Sequence, residues 1–267
     1  MPVHSDLGKR MKEYEGVSKT ALMKRTPVAI RIDGKAFHTY TRGFKKPFDN
    51  ILVKSMQETM RYLCENIQGC VFGYCQSDEI TLILTDYKTF DTAAWFDYEV
   101  QKLCSISASM ATMAFNKAFK KNLDEDKMNY RCSFVPQSVE IQKEMTKYYE
   151  TLEAAAEKGA MFDSRCFNIS KEEVCNLVYW RQLDATRNAI QMVGQTNFSH
   201  KQLQNKSCAM IQEMLFQEKG INFNNYPVYL KRGTACYNTE NGWVLDLNMP
   251  ILKGEDRNYV DRLINFE

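Results

Sequence analysis

Acidic residues lie at the ends of apolar segments in two places in the first third of the chain. Asp33 ends the apolar segment 27–33 and is followed by Gly34, whereas Asp78 and Glu79 lie in a polar turn between the apolar segments 70–75 and 80–85. If these segments are neighbouring strands, Asp33 and Asp78 converge at one edge of a sheet. Two carboxylates, together with a backbone carbonyl and phosphate oxygens, form an oxygen-rich site that suits Mg²⁺. Such a site would support phosphoryl or nucleotidyl transfer.

The same residues are also common in turns. Asp-Gly and Ser-Asp pairs favour turns for reasons of local backbone geometry alone. Gly34 could serve a site, because the missing side chain lets a ligand approach the backbone closely. The pattern of acids alone therefore leaves both a metal site and plain turns open.

Hydrophobic periodicity predicts the elements that would position these acids. Helices are predicted at 5–15, 51–67, 96–120, 171–193 and about 209–219, and residues 140–159 form either a helix or a mobile insertion. Strands are predicted at 27–33, 70–75, 80–85, 134–136, 161–167, 229–237 and 243–247. The order β-α-β-β-α-β within residues 27–167 predicts an α+β fold, with an antiparallel sheet that is covered by helices on one face.

Composition limits the class of protein. Hydrophobic residues make up 44% and charged residues 25% of the 267 residues, which is typical of a folded globular chain. The net charge is +2, so a nucleic-acid surface would be a local basic patch. Nine cysteines without a C-x-x-C pair, and three histidines, do not predict a zinc site or a disulfide framework. No segment is typical of a membrane helix or a signal peptide, and we expect a cytoplasmic protein with no membrane partner.

Long motifs around the acids resemble one family. The segments RIDGKAFHTYTRGFKKPFD (31–49) and GYCQSDEITLIL (73–84) are similar to those of the tRNA-His guanylyltransferase family and its guanylyltransferase-like relatives. Further resemblance lies in FDSRCF (162–167), YWRQLDATRN (179–188), FSHKQLQNKS (198–207) and INFNNYPVYLKRGT (221–234). The resemblance covers nearly the whole chain. It implies a palm-like, ferredoxin-like catalytic sheet, similar to that of 5′-to-3′ polymerases but adding nucleotides in the 3′-to-5′ direction.

The resemblance also implies roles for individual residues. Asp33, Asp78 and the Gly34 carbonyl would hold two Mg²⁺ ions, and Glu79 completes an acidic trio in which it either binds metal or orients its neighbours. Lys46 would contact the triphosphate. The residues that would surround a bound GTP, ATP or other nucleoside triphosphate are Asp33, Gly34, Lys35, Ala36, Phe37, His38, Lys46, Ser77 and Asp78. Phe37 could equally be a core residue, and His38 a surface histidine.

Basic patches in the C-terminal third, one of which includes a serine, are candidates for contact with a tRNA backbone. Their residues are Arg187, Ser199, His200, Lys201, Lys206, Lys231 and Arg232. Arg165 and Arg181 could each be structural ion-pair partners, and for Arg181 we favour that role. We expect residues 1–167 to form the palm domain with its N-terminal helix. Residues 168–267 would complete that domain and bind tRNA, and family members are often homotetramers.

One segment departs from the family pattern. Eukaryotic members carry His-Ile-Asn-Asn-Leu-Tyr-Asn after the WRQ segment, whereas this chain has TRNAIQM at 186–192 and no histidine there. The guanylyltransferase-like proteins share this departure, and their usual activity is template-dependent repair of 5′-truncated tRNAs. Strict tRNA-His guanylylation and general 5′-end repair therefore both stay open. A palm-type nucleotide cyclase and a non-catalytic RNA-binding module are the alternatives from other classes.

Overall fold

A six-stranded antiparallel sheet in the order β4-β1-β3-β2-β5-β6 organises the chain. The computed structural model describes residues 6–132 and 138–264. The strands are β1 (Val28–Gly34), β2 (Cys70–Gln76), β3 (Glu79–Leu84), β4 (Phe162–Asn168), β5 (Thr234–Thr239) and β6 (Gly242–Asp246). The sheet and its many helices confirm the predicted α+β class and are consistent with a palm.

Ten α-helices in the described part of the chain surround this sheet. They are α1 (Asp6–Gly16), α2 (Phe37–Tyr40), α3 (Asn50–Asn66), α4 (Val100–Cys132), α5 (Val139–Lys158), α6 (Val174–Asn197), α7 (His200–Leu203), α8 (Cys208–Lys219), α9 (Val228–Arg232) and α10 (Tyr259–Ile264). No helix in the described residues is long and apolar enough to cross a membrane.

Side-chain alternation gives the sheet two different faces. Ile30, Ile32 and Leu82 are fully buried in a large apolar core with residues of α3 and α4, including Met60 and Phe115. This core covers the first face.

The second face packs against α6 and α10. Ala29, Phe72 and Ile83 are buried there with residues of α6 such as Val174 and Val178. On this face the apolar residues give way to polar ones as β1 approaches its end, because Arg31 and Asp33 continue the alternation that Ala29 begins. The helices therefore cover both faces of the sheet, whereas the sequence predicted cover on one.

Several elements differ from those predicted. Residues 228–232 form α9 rather than the start of a strand, because Pro227 precedes the helix and Gly233 ends it at a φ of +85°, which favours glycine. Helix α4 runs on to Cys132, and the segment predicted at 140–159 as a helix or a mobile insertion forms helix α5, which ends at Lys158. The strand predicted at 134–136 falls outside the described residues.

Candidate functional site

The acids predicted from the sequence meet at one edge of the sheet. In the antiparallel register Asp33 lies opposite Glu79 of β3 on one side and opposite Asp163 of β4 on the other. Asp78 lies in the two-residue turn between β2 and β3, and the Gly34 amide donates a hydrogen bond of 3.0 Å to its carbonyl oxygen. Backbone pairing thus fixes the acids relative to one another without help from their side chains.

The backbone around the acids adopts unusual conformations. Ser77 in the turn and Ala36, which precedes α2, have φ values of 50° and 54°, in the left-handed region that non-glycine residues rarely occupy. At Gly34 an added Cβ would lie 2.2 Å from the ring of Phe37. Gly34 is therefore required by packing, whereas the sequence suggested room for a ligand. Backbone strain of this kind often gathers at functional sites.

Burial makes the two central carboxylates harder to ionise. Desolvation is the main cause that raises the pKa of Asp78, the negative charge of Asp33 adds to it, and a 3.0 Å hydrogen bond from the Ser77 hydroxyl opposes it. Desolvation also raises the pKa of Asp33, and Asp163 adds to the rise. Asp33 thus disfavours the ionised form of Asp78, Asp163 disfavours that of Asp33, and a cation at this edge would relieve both costs.

Glu79 has a partner of its own inside the protein. Arg181 of α6 donates from Nε to Glu79 Oε1 at 2.6 Å, and both side chains are less than a tenth exposed. A second guanidinium nitrogen of Arg181 bonds Asp184 at 2.8 Å. Burial nevertheless raises the pKa of Glu79, while Arg181 opposes the rise. The pair supports the structural role that we favoured for Arg181, and it ties α6 to the acidic edge.

The donor set suits a metal that shares its ligands with substrate. Among the described residues, no group of three or more His, Cys, Asp or Glu side chains is arranged to hold a metal ion by itself. Asp33 and Asp78 are two desolvated carboxylates beside the Gly34 carbonyl. Mg²⁺ is commonly held by one or two carboxylates together with substrate phosphates and water, so these residues fit that ion when a triphosphate completes its shell.

A cavity of about 520 Å³ opens beside this acidic edge. Its walls come from the β1–α2 segment, the 44–49 loop, α3, the β2–β3 turn, α6 and the start of β5. Of the nine residues predicted to bind nucleotide, seven line it: Gly34, Ala36, Phe37, His38, Lys46, Ser77 and Asp78. Asp33 and Lys35 do not line it. A cavity of this size is within the range that holds small-molecule ligands.

The loop that carries Lys46 is held by a buried acid. Asp49 is 3% exposed, caps α3 by accepting from the Ile51 and Leu52 amides, and also accepts from the Lys45 amide at 3.1 Å. The Tyr148 hydroxyl donates to the same carboxylate at 2.8 Å. Helix α5 thereby fixes the loop, while the side chain of Lys46 stays exposed at the cavity.

Two of the predicted nucleotide contacts have other surroundings. Phe37 is 5% exposed and packs its ring against Tyr40, Phe115 and Phe162. Most of its side chain therefore belongs to the core, which is the alternative that the sequence left open. His38 is exposed, and its Nε2 lies 3.0 Å from the Thr39 hydroxyl. The position of His38 does not indicate a general base.

The predicted RNA-binding residues are divided between two places. His200, Lys201 and Lys206 are exposed around α7, where Ser199 serves as the helix cap by accepting from the Gln202 amide. Arg187, Lys231 and Arg232 line a second cavity of about 370 Å³.

Lys231 is not displayed on the surface as its basic segment suggested. It is 6% exposed and donates from Nζ to the Asn224 carbonyl at 2.6 Å. Burial, followed by the charge of Arg232, lowers its pKa. Its ammonium group is therefore committed to the protein interior, unlike those of Lys201 and Lys206.

Sequence reasoning missed Asp163 and Asp49. Asp163 lies in the FDSR motif, but only its neighbour Arg165 drew attention, since a single acid on a short strand has no local signature. Asp163 is exposed and bonded to Arg165 at 2.9 Å. For Asp49, the signal was the Asp immediately before an apolar-periodic helix, which is typical of a cap.

Comparisons with known proteins agree on one group of relatives. A family model described as Thg1, tRNAHis guanylyltransferase, matches residues 8–170. The tRNA(His) guanylyltransferase of Saccharomyces cerevisiae is 25% identical over 236 residues, which cover 83% of this chain and 86% of that protein.

Solved structures give the same result. A bacterial tRNA(His) guanylyltransferase (Thg1)-like protein in complex with ATP is 39% identical, with a TM-score of 0.80 over 97% of this chain and 99% of that one. A bacterial protein of the same description, in complex with GTP, is 34% identical, with a TM-score of 0.70 over the same shares.

The electrostatics of Asp78 predict a pH-dependent gain in stability for Asp78→Asn. Because its pKa is raised, the folded state favours the protonated form of Asp78 over the ionised form. The stability that protonated Asp78 contributes is present at low pH and is lost as pH rises through the folded-state pKa. At pH 7 the neutral amide should raise Tm by about 2–4 °C, the shift that about 1 kcal/mol gives in a protein of this size.

Thermal unfolding of both proteins between pH 3 and pH 8 measures this difference, which should vanish below the ordinary aspartate pKa of 3.8. The exposed Asp124→Asn on α4 is the matched control and should show no gain. A loss of stability in Asp78→Asn at pH 7 would contradict the electrostatic account.

Proposed function

Because the chain belongs to the Thg1 family of tRNAHis guanylyltransferases and is a nucleotidyltransferase, we propose that it adds nucleotides in the 3′-to-5′ direction to the 5′ end of a tRNA. The observation that carries this proposal is that Asp78, whose turn is hydrogen-bonded to β1 just after Asp33, lines a cavity together with six other predicted nucleotide-binding residues. The ATP and GTP complexes of the bacterial proteins support nucleoside triphosphates as its substrates.

The proposed reaction forms one phosphodiester bond for each nucleotide added. The 5′ end of the RNA is a triphosphate already, or its monophosphate attacks the α-phosphorus of ATP and is adenylylated with release of pyrophosphate. The 3′-hydroxyl of the incoming nucleotide attacks the activated 5′-phosphorus and gives up its proton, and pyrophosphate or AMP leaves. Two Mg²⁺ ions held by Asp33, Asp78 and the Gly34 carbonyl would supply charge neutralisation and lower the pKa of the attacking hydroxyl.

The side chains of the chain itself do the positioning. Lys46, on a loop that Asp49 fixes, would hold the triphosphate. Arg181 keeps Glu79 in place beside Asp33. Strand pairing at Asp33 and the hydrogen bond from the Gly34 amide to the Asp78 carbonyl hold the backbone of the proposed metal pair in place, so little backbone reorganisation is needed when the substrates bind.

The structure of α6 supports template-directed repair over strict histidine tRNA guanylylation. Thr186, at the position where eukaryotic members carry histidine, donates its hydroxyl to the Gln182 carbonyl at 3.0 Å. Arg187 is paired with Asp184. Thr186 is thus bonded within the helix, and no histidine side chain is available at this position; Arg187, 60% exposed, could contact a phosphate of any RNA but carries no preference for an anticodon base. We also propose that the protein acts in the cytoplasm as a homotetramer. The exposed apolar residues Leu7, Met11 and Tyr14 of α1 would suit contact between copies.

Nucleotide selection should therefore follow the RNA template. Two tRNAs that lack their first nucleotide, and that differ only in the base opposite the missing position, are incubated with ATP and each nucleoside triphosphate in turn. The matched nucleotide should add faster than the others on each tRNA, and sizing of the labelled product on a gel measures the rates.

The metal assignment has its control in the same assay. Asp33→Ala and Asp78→Ala should each reduce addition at least tenfold at saturating Mg²⁺, because loss of a ligand costs several kcal/mol in the transition state.

Guanosine addition whatever the opposite base, and only to a tRNA with a histidine anticodon, would contradict the proposal of template-directed repair.

Lys46→Ala should raise the KM for the nucleoside triphosphate about tenfold and leave tRNA affinity unchanged, since a charge-assisted hydrogen bond to a phosphate is worth about 1.5–3 kcal/mol. Lys45→Ala is the matched neighbour and should have a smaller effect, because the Lys45 ammonium lies 4.2 Å from the centre of the Tyr148 ring.

The double variant Lys201→Ala, Lys206→Ala should do the reverse and flatten the salt dependence of tRNA binding. Steady-state kinetics and filter binding at several salt concentrations measure both effects. Equal losses of both affinities in the Lys46 variant and in the double variant would refute the separation of the two surfaces.

A further inference from the structure

A second open surface lies beside the acids, on the side of α6 away from the cavity. It consists of Arg31, Arg165 and Trp180, and we refer to it as the Trp180 shelf. Arg31 and Arg165 are directly opposite each other on β1 and β4, and Asp33 and Asp163 form the next pair on the same face of the sheet. Two residues along a strand span about 6.6 Å. The shelf therefore begins within one side-chain length of the proposed metal ligands.

Trp180 is exposed and yet held in place. Its side chain is 52% exposed, while the guanidinium carbons of Arg181 and Arg31 lie 4.4 Å and 5.6 Å from its ring. Arg181 is itself fixed by its buried ion pair with Glu79. A large aromatic ring that stays half in water, on a rigid helix, is a ready-made stacking surface.

The charges around the ring suit a phosphate backbone. The side chain of Arg165 is 50% exposed, and its only described ion pair is with Asp163. Lys35, exposed immediately after the end of β1, does not line the nucleotide cavity. Asp163, Asp33 and Glu79 are acids beside this surface, and Glu79 is paired with Arg181 at 2.6 Å and with Arg31 at 3.9 Å. A cation at the acidic edge would offset the other two. Aromatic stacking combined with arginine is how proteins hold RNA ends and unpaired bases.

Two substrates have to meet at Asp33 and Asp78 in the proposed reaction. The cavity on one side of the acids has room for the incoming nucleoside triphosphate, and Trp180 does not line it. The second substrate needs a separate approach to the same acids, and the Trp180 shelf is an exposed surface beside them.

We propose that Trp180 stacks on the 5′-terminal base of the RNA and that Arg165 contacts its terminal phosphates. This inference rests on the proposed function, because it assigns the second substrate of that reaction. It differs from the basic residues near α7 in one respect: the shelf recognises the end of the RNA, whereas a basic patch binds any part of its backbone.

The test measures binding of a fluorescein-labelled acceptor-stem duplex with a 5′-triphosphate, by anisotropy and without nucleotide. Trp180→Ala should weaken binding about tenfold, within the range that alanine substitution gives for base–aromatic stacking. Trp180→Phe should retain most of the affinity. Phe216→Ala on α8 is the matched control, since Phe216 is also an exposed aromatic residue, at 55%. The Phe216→Ala variant should bind the duplex as tightly as the wild type does.

A duplex with an abasic 5′-terminal residue separates stacking from structural damage. The wild type and Trp180→Ala should bind this duplex equally, because the base on which the ring stacks is missing. Arg165→Ala should weaken binding of the triphosphorylated duplex more than that of its 5′-hydroxyl counterpart. An equal loss for Trp180→Ala on the intact and abasic duplexes, or no loss on either, would overturn the stacking assignment.

The two proposals fail in different ways. A wild-type protein that loses affinity on removal of the terminal base, but adds no nucleotide to the tRNA, would refute the proposed function and leave the stacking surface. A wild-type protein that adds nucleotides while Trp180→Ala binds and reacts normally would refute the shelf alone.

Discussion

Antiparallel pairing of β1 with β3 holds Asp33 next to the turn that carries Asp78, and the remaining features of the site depend on this constraint. Both carboxylates are partly desolvated, Asp33 raises the pKa of Asp78, and Asp163 raises the pKa of Asp33. Such an arrangement costs stability. The apolar core under the sheet, with Ile30, Ile32 and Phe115 fully or almost fully buried, offsets that cost.

Helix α6 divides the surroundings of the acids. Its residues Ala185, Asn188 and Met192 line the nucleotide cavity, while Trp180 faces the other side beside Arg31. Arg181, between the two, is bound to Glu79. One helix thus fixes the acidic edge and separates the space for one substrate from the proposed surface for the other. In our account this division lets a polymerase-like sheet receive a nucleotide and an RNA end at the same pair of acids.

Most of the helices and strands could be predicted from the sequence, because the hydrophobic periodicity of a long segment indicates its secondary structure without reference to the rest of the fold. The bounds of α3, β2 and β3 differ from the prediction by at most one residue, and Asp33 and Asp78 converge as their positions at strand ends required. The resemblance, rather than periodicity, supplied the nucleotide contacts.

What the sequence could not provide depends on long-range contact. Lys231 is in a basic segment, but tertiary packing buries it against the Asn224 carbonyl. Gly34 seemed to make room for a ligand, whereas the ring of Phe37 takes that space. Asp163 became visible only when β4 was aligned with β1. The half-exposed setting of Trp180 likewise follows from where α6 crosses the sheet.

The central claim is that Asp33 and Asp78 together bind Mg²⁺ with the nucleotide. Isothermal titration calorimetry of GTP, with and without Mg²⁺, tests it most directly in the wild type and in Asp33→Asn, Asp78→Asn and Asp163→Asn. Mg²⁺ should tighten GTP binding to the wild type and to Asp163→Asn by at least tenfold, about 1.4 kcal/mol, and should give little gain in the other two variants. An equal Mg²⁺ effect in all four proteins would contradict the account.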